Sequence, residues 1–357
     1  INYLSYIDFV KNFIKDSKGK FKNFVEVSKA ALENNDFNQK NISSENTSIY
    51  DGKNILFYGV PGCGKSYHIK TFYVADSHNN DNERVVFHPD YTYSDFIGQI
   101  LPQIKNDKIV YEFVPGPFTR LLAKAINNPN QKYYLIIEEI NRGNAAAIFG
   151  DIFQLLDRKN GKSEYEITNK DIAIQVYGKG NEEKKVYIPG NMSIFATMNT
   201  ADQNVFTLDT AFQRRWQMKH IPNNFDDSNN QEQSNRLIPG KDNITWGIFA
   251  QRVNKKILES NSTFGSTADK SLGVYFIKPD EFKDENSKKI FGEKILKYLW
   301  DDAFKMNHEE IFNKNIHSLA EALKIYENED SFKNVLYEGF FSNENLKKDD
   351  IDYNESK

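Results

Sequence analysis

Apolar residues recur along the chain in two rhythms. Near the N-terminus Leu4, Ile7, Val10, Phe13 and Ile14, then Phe21, Phe24, Val25 and Leu32, fall at helical spacing, which predicts amphipathic helices over 3–18 and 21–34. The Asn- and Ser-rich stretch 34–47 reads as a linker, so residues 1–49 form a segment ahead of the turn at Asp51-Gly52. From there short apolar runs follow at 54–58, 84–88, 133–138, 192–198 and 217–221, with helical stretches between them at 66–74, 118–126 and 145–156. That alternation predicts an α/β domain over 50–222 whose sheet is mostly parallel and covered on both faces. Residues 107–115 and 164–188 interrupt it with β-rich pieces among Asn, Gly and Lys, and read as hairpin insertions.

After Pro222 the polar stretch 223–243 reads as a flexible connection. Helical periodicity resumes at 245–259, 289–304 and 311–326, which predicts a helical lid over 223–341, and 342–357 has too few apolar residues to order itself. Composition narrows the classes. A single cysteine, Cys63, excludes an intrachain disulfide and suits a reducing cytosol. Lys plus Arg number 46 against 50 Asp plus Glu, a net charge of −4, so contact with DNA needs a local patch, another subunit or a further domain. No apolar run approaches the ~18 residues of a membrane helix, so no membrane partner is expected.

The most specific chemistry lies just after the first apolar run. Gly59-Val60-Pro61-Gly62-Cys63-Gly64-Lys65-Ser66 matches G-x-x-x-x-G-K-[ST] between a strand and a helix, the context that motif requires. Its backbone N–H groups and the helix N-terminus cradle phosphate, Lys65 reaches the β- and γ-phosphates, and the Ser66 hydroxyl holds Mg²⁺. Gly59, Pro61, Gly62, Cys63, Gly64 and Tyr67 complete the expected nucleotide contacts. A second run, Tyr133–Ile137, stops at Glu138-Glu139, where the first acid steadies the Mg²⁺ shell and the second polarises the attacking water. Glu138 stands where Asp is the usual choice. A third run ends at Asn199, placed to orient water and sense the γ-phosphate, with Asp202 three residues on. Arg214 and Arg215 close a short helix, from which arginine can reach a γ-phosphate bound in an adjacent subunit. Ordinary alternatives exist for each: a strand end meeting solvent, an Asn–Asp turn capping a helix, a basic helix end favoured by the helix dipole.

In their order the motifs resemble those of AAA+ ring NTPases. The narrower blocks Phe87–Ile97, Pro115-Gly116-Pro117-Phe118, Glu138–Asn144 and Met198-Asn199-Thr200-Ala201-Asp202 resemble the McrB-type motor subunit of modification-dependent restriction systems. The resemblance is strong over 50–222 and weak in the lid, where Ser271–Phe276 departs from the Gly-His-Ser-Tyr-Phe-like run of relatives. It implies a five-stranded parallel sheet ordered 5-1-4-3-2, β-hairpin insertions and a C-terminal helical lid. It also implies a GTP-preferring subunit of a hexameric ring, stimulated by a McrC-type nuclease, with modified DNA recognised by separate N-terminal domains or engaged in the ring pore. By motif, Lys65 and Ser66 bind phosphate and Mg²⁺, Glu138 and Glu139 form the acidic pair, and Asn199 and Asp202 complete the hydrolytic centre. Arg142, Arg214 and Arg215 become candidates for contacts across subunits.

Guanine is not read from the residues. Asn199–Asp202 and Asn169-Lys170-Asp171 superficially match the N-K-x-D box of small GTPases, but the first occupies the position of a γ-phosphate sensor and the second has its spacing wrong by one. The substrate is therefore GTP by resemblance, or ATP. No nuclease cluster of the P-D…(D/E)-x-K kind is evident, so cleavage would belong to a partner. Two other functions compete: a MoxR- or midasin-like ATPase remodelling protein complexes, with the same strand order and interface arginines, and a P-loop kinase, which needs an acceptor pocket and no ring.

Overall fold

Alternation within the apolar runs decides which residues face which side of the sheet. In a computed structural model that describes residues 50–75, 81–200, 205–240, 242–260, 270–283 and 286–342, five parallel strands form one sheet. They are β1 (Asn54–Gly59), β2 (Asn82–Val86), β5 (Tyr133–Glu138), β8 (Met192–Asn199) and β9 (Gln217–His220), ordered β2-β5-β8-β1-β9. Counted as five core strands this is 5-1-4-3-2. The expected helices over 3–18 and 21–34 and the linker after them lie outside the described residues, as do Asp202 and the tail beyond Ser342.

Side chains alternate across β1. Ile55 and Phe57 pack with Ile69, Ile136 and Phe195 under α1 (Lys65–Phe72), while Leu56 faces a larger core on the other side. That second core joins Leu135, Ile137, Ile194 and Ala196 to α2 (Tyr93–Ile97), α3 (Pro117–Asn127) and α4 (Ala145–Phe149). Burial on both faces is why the central strands β1, β5 and β8 read as nearly continuous apolar runs, whereas the edge strands β2 and β9 are exposed or half-buried and more polar.

The first insertion is a hairpin of β3 (Gly98–Lys105) and β4 (Lys108–Pro115), closed by Asn106 and Asp107 at positive φ. The register pairs Ile100 with Phe113, Pro102 with Tyr111 and Ile104 with Ile109, so one face of the ribbon is wholly apolar. Ile100, Ile104, Ile109 and Tyr111 on it are exposed. The second insertion differs from the expected hairpin. β6 (Arg158–Lys159) and β7 (Lys162–Ser163) pair, but 164–188 contains α5 (Lys170–Tyr177) beneath a single Ile167–Val186 bridge. Asn169 caps that helix by accepting from the Ile172 N–H, and Ile172, Ala173 and Val176 bury one face.

The remaining helices are α6 (Thr210–Gln213), α7 (Gln231–Ser234), α8 (Trp246–Ser260), α9 (Ser287–Tyr298) and α10 (Leu319–Glu329). Between Phe225 and Phe340, α8, α9 and α10 share a separate core around Trp246, Phe249, Phe291 and Phe332, while Phe212 of α6 packs into the sheet core. Two expectations need correction here. The described residues of 223–243 are folded, with Phe225, Gln233, Ser234 and Ile238 buried. The helix expected over 311–326 starts later, because Phe312 bridges to Leu336 and Ser318 caps α10 by accepting from the Glu321 N–H. Among the described residues no helix is long and apolar enough to cross a membrane.

Candidate functional site

The C-terminal tips of β1, β8 and β5 meet because the three strands are parallel neighbours. β1 runs into Gly59–Ser66, whose tight wrap requires positive φ at Gly62 and Gly64, 77° and 98°. α1 begins at Lys65 and aims its N-terminus at this loop, which provides unpaired N–H groups and partial positive charge. Lys65 is buried, and its Nζ donates to the Gly59 and Val60 carbonyls at 3.0 Å each, so the cation is held over its own loop. Cys63 packs beneath, its Sγ 3.9 Å from Lys65 Nζ. Burial pushes this thiol above its ordinary value against the opposing pull of Lys65, so it stays protonated and serves as packing.

Glu138 stands at the tip of β5, across β8 from the loop strand, and is held on both oxygens. Its Oε2 accepts from Ser66 Oγ at 2.9 Å and from Thr197 Oγ1 at 2.6 Å, and its Oε1 accepts from Arg84 of β2. Glu139 then leaves strand geometry with φ 55° and ψ 48°. A left-handed backbone at a non-glycine residue costs roughly 1–2 kcal/mol, and here it turns the carboxylate toward Asn199. The Asn199 Nδ2 donates to both Glu139 oxygens, at 2.6 and 2.7 Å. Thr197 accepts from the Glu139 N–H at 3.1 Å, so one hydroxyl fixes both acids. Behind them Asn141 is buried and donates to the Asn199 carbonyl at 3.0 Å.

Ser66, Glu138, Glu139 and Asn199 therefore gather at one place beside Lys65. Among the described residues no group of three or more His, Cys, Asp or Glu forms a cation cage. Mg²⁺ does not need one, since it keeps several waters and takes one or two protein ligands plus substrate phosphates. The Ser66 hydroxyl with Glu138 is such a donor set, and the ion would neutralise charge on the phosphate oxygens there.

The arginines divide. Arg142 lies on the turn Ile140–Arg142 with its Nε 3.6 Å from Glu139 Oε2, so within the chain it faces the acid three residues before it. Arg215, expected to act with Arg214 across an interface, is instead tied down internally. Its guanidinium meets Asp157 Oδ2 at 2.8–3.0 Å, donates to the Ala211 carbonyl at 2.7 Å and lies 4.1 Å from the Phe153 ring centroid. Arg214 is exposed. Arg215→Ala would strand Asp157, half-covered, without its cation, at a cost of about 3 kcal/mol. Urea denaturation should show that loss, and Arg214→Ala should leave the midpoint within about 0.5 kcal/mol of wild type.

Three contributors carried no motif. Thr197 sits two residues before Asn199, on the same face of β8, and Arg84 follows Glu83 in the edge strand β2; sequence offers no more than those placements. The third is the lid run Ser271–Phe276. The Tyr275 N–H donates to the Gly62 carbonyl at 2.7 Å, and Gly273 approaches so closely that a Cβ there would lie 2.3 Å from Pro61 O. The run that departs from the family pattern is thus seated on the phosphate loop.

Comparison with known proteins agrees with this geometry. The model of the AAA domain (dynein-related subfamily) matches residues 54–216, from β1 through the turn before β9. The chain is 36% identical over 309 residues to YdiS, a component of the BsuMI type II restriction enzyme of Bacillus subtilis (strain 168), covering 78% of this chain and 87% of that protein. It is 30% identical over 177 residues to the EcoKMcrB subunit of a type IV methyl-directed restriction enzyme of Escherichia coli (strain K12), covering 49% of this chain and 36% of the longer relative. With that identity over nearly all of one relative, and the five-stranded order and phosphate loop of its domain class, the chain belongs to the McrB-like AAA+ subunits of restriction systems, enzymes that hydrolyse nucleoside triphosphates.

Proposed function

We propose that the chain is the motor of a DNA-restriction system, a GTP-preferring ring, hexameric by resemblance, that couples hydrolysis to movement of DNA and activates a McrC-like nuclease subunit. One observation carries the ring part of this reading. The hydrolytic residues cluster at the C-terminal tips of β1, β5 and β8, whereas Arg214 precedes β9 at the opposite end of the sheet. Gln217 pairs with Ile55, four residues before Gly59, which separates the exposed arginine from the loop by roughly 13 Å of strand. A side chain so placed serves another subunit's phosphate and not its own.

The preference for guanine and the nuclease partner rest on the family resemblance, and DNA contact with a chain of net charge −4 rests on local patches or further domains. In the same reading the α/β part, 50–222, and the helical part, 223–341, close on nucleotide between them, and Asp202 supports the water that Asn199 and Glu139 orient. The test is turnover of GTP and ATP, each with and without DNA and a McrC-like nuclease subunit. GTP is expected to be the better substrate, with its turnover raised by the nuclease subunit. Preference for ATP and indifference to both additions would favour the protein-remodelling alternative.

A further inference from the structure

The phosphate loop sets the direction in which a bound nucleotide leaves the site. Lys65 reaches the β- and γ-phosphates and the loop N–H groups hold the α- and β-phosphates, so ribose and base continue past the first turn of α1. Tyr67 is the first side chain there after Ser66, and it is exposed. Facing it is Tyr275 of the lid, whose ring lies 3.4 Å from where a Cβ on Gly64 would stand. The two rings are near-parallel, 30° apart, with centroids 6.0 Å from one another.

Tyr275 is fixed at three points. Its N–H donates to Gly62, its hydroxyl donates to Asn230 Oδ1 at 3.1 Å, and its ring packs on the lid core. Tyr67 is carried by α1. We propose that Tyr67 and Tyr275 form an aromatic clamp for the nucleobase, which stacks between the two rings; the inference rests on the nucleotide site proposed above and deepens it. A ring intercalated at normal contact needs about 7 Å between its two neighbours, roughly an ångström more than the pair now leaves. The clamp joins the P-loop helix to the lid, so a stacked base bridges the two beside the phosphates, the rings parting by about an ångström to admit it.

Stacking tolerates any base, because each offers a π-face. The clamp therefore adds affinity for purine nucleotides without choosing between guanine and adenine. The probes are a non-hydrolysable GTP analogue, the matching ATP analogue and inorganic tripolyphosphate, titrated into the full chain and into Tyr67→Ala, Tyr275→Ala and Tyr67→Phe. Each alanine variant should lose about tenfold in affinity for both nucleotides, with their ratio and the affinity for tripolyphosphate unmoved, and Tyr67→Phe should recover most of the loss. Equal weakening of nucleotide and tripolyphosphate would overturn the clamp and make the tyrosines braces for the loop. Unchanged nucleotide affinity in both alanine variants would also overturn it. Failure of the wild-type chain to bind any of the three would bring down the nucleotide site itself, and the clamp with it.

Discussion

Lys65→Ala is expected to abolish nucleotide binding, with affinity falling at least a hundredfold. Lys65 Nζ already occupies the mouth of the loop, held by the Gly59 and Val60 carbonyls, and needs little rearrangement to meet β- and γ-phosphate oxygens. A hydrogen bond to a charged group contributes about 1.5–3 kcal/mol, so losing two of them costs roughly 3–6 kcal/mol. Alanine also leaves those carbonyls without their buried donor, so a thermal melt should accompany the titration to show that the variant is folded. Calorimetric titration with GTP and ATP analogues reads the effect. Near-wild-type affinity in a folded variant would mean that the loop does not bind phosphate through this cation.

Glu139→Gln should separate binding from chemistry. Glutamine has the same shape and can keep one acceptor toward Asn199 Nδ2, so the left-handed turn and nucleotide affinity should hold within a few-fold. It cannot accept a proton from water, and loss of such a base costs typically 10²–10⁴ in rate. Single-turnover hydrolysis beside equilibrium binding measures both quantities. If the Gln variant binds no nucleotide, Glu139 belongs to the metal shell or the scaffold and the roles assigned to the two acids are wrong.

Residues that act through their own neighbours in sequence were legible before the structure; those that act through tertiary contact were not. The phosphate loop is contiguous, and a strand–loop–helix context frames it, so Lys65 and Ser66 could be assigned at once. The sheet was legible because a strand buried on both faces reads as a nearly continuous apolar run, as 133–137 does and as 192–196 does but for Ser193. Helix α5 was hidden by its surroundings: eight residues are about two turns, too short for a clear period among the Asn, Gly and Lys that suggested a hairpin. Arg214 and Arg215 look equivalent in sequence. Asp157 and Phe153, far away along the chain, take one of them inward. Thr197 and Arg84 meet Glu138 from two other strands, and Tyr275 reaches the loop from the lid, so no local pattern could announce them.

A ring in which one subunit's arginine serves the next subunit's phosphate makes a prediction that no isolated subunit can satisfy. Lys65→Ala and Arg214→Ala should each be inactive alone, the first for want of bound nucleotide and the second for want of an arginine donor. Mixed under conditions where they co-assemble, some sites would pair an intact loop with an intact Arg214 from the neighbour, and part of the wild-type hydrolysis should return. No recovery despite demonstrated co-assembly, or full activity of wild-type protein held strictly monomeric, would contradict the account.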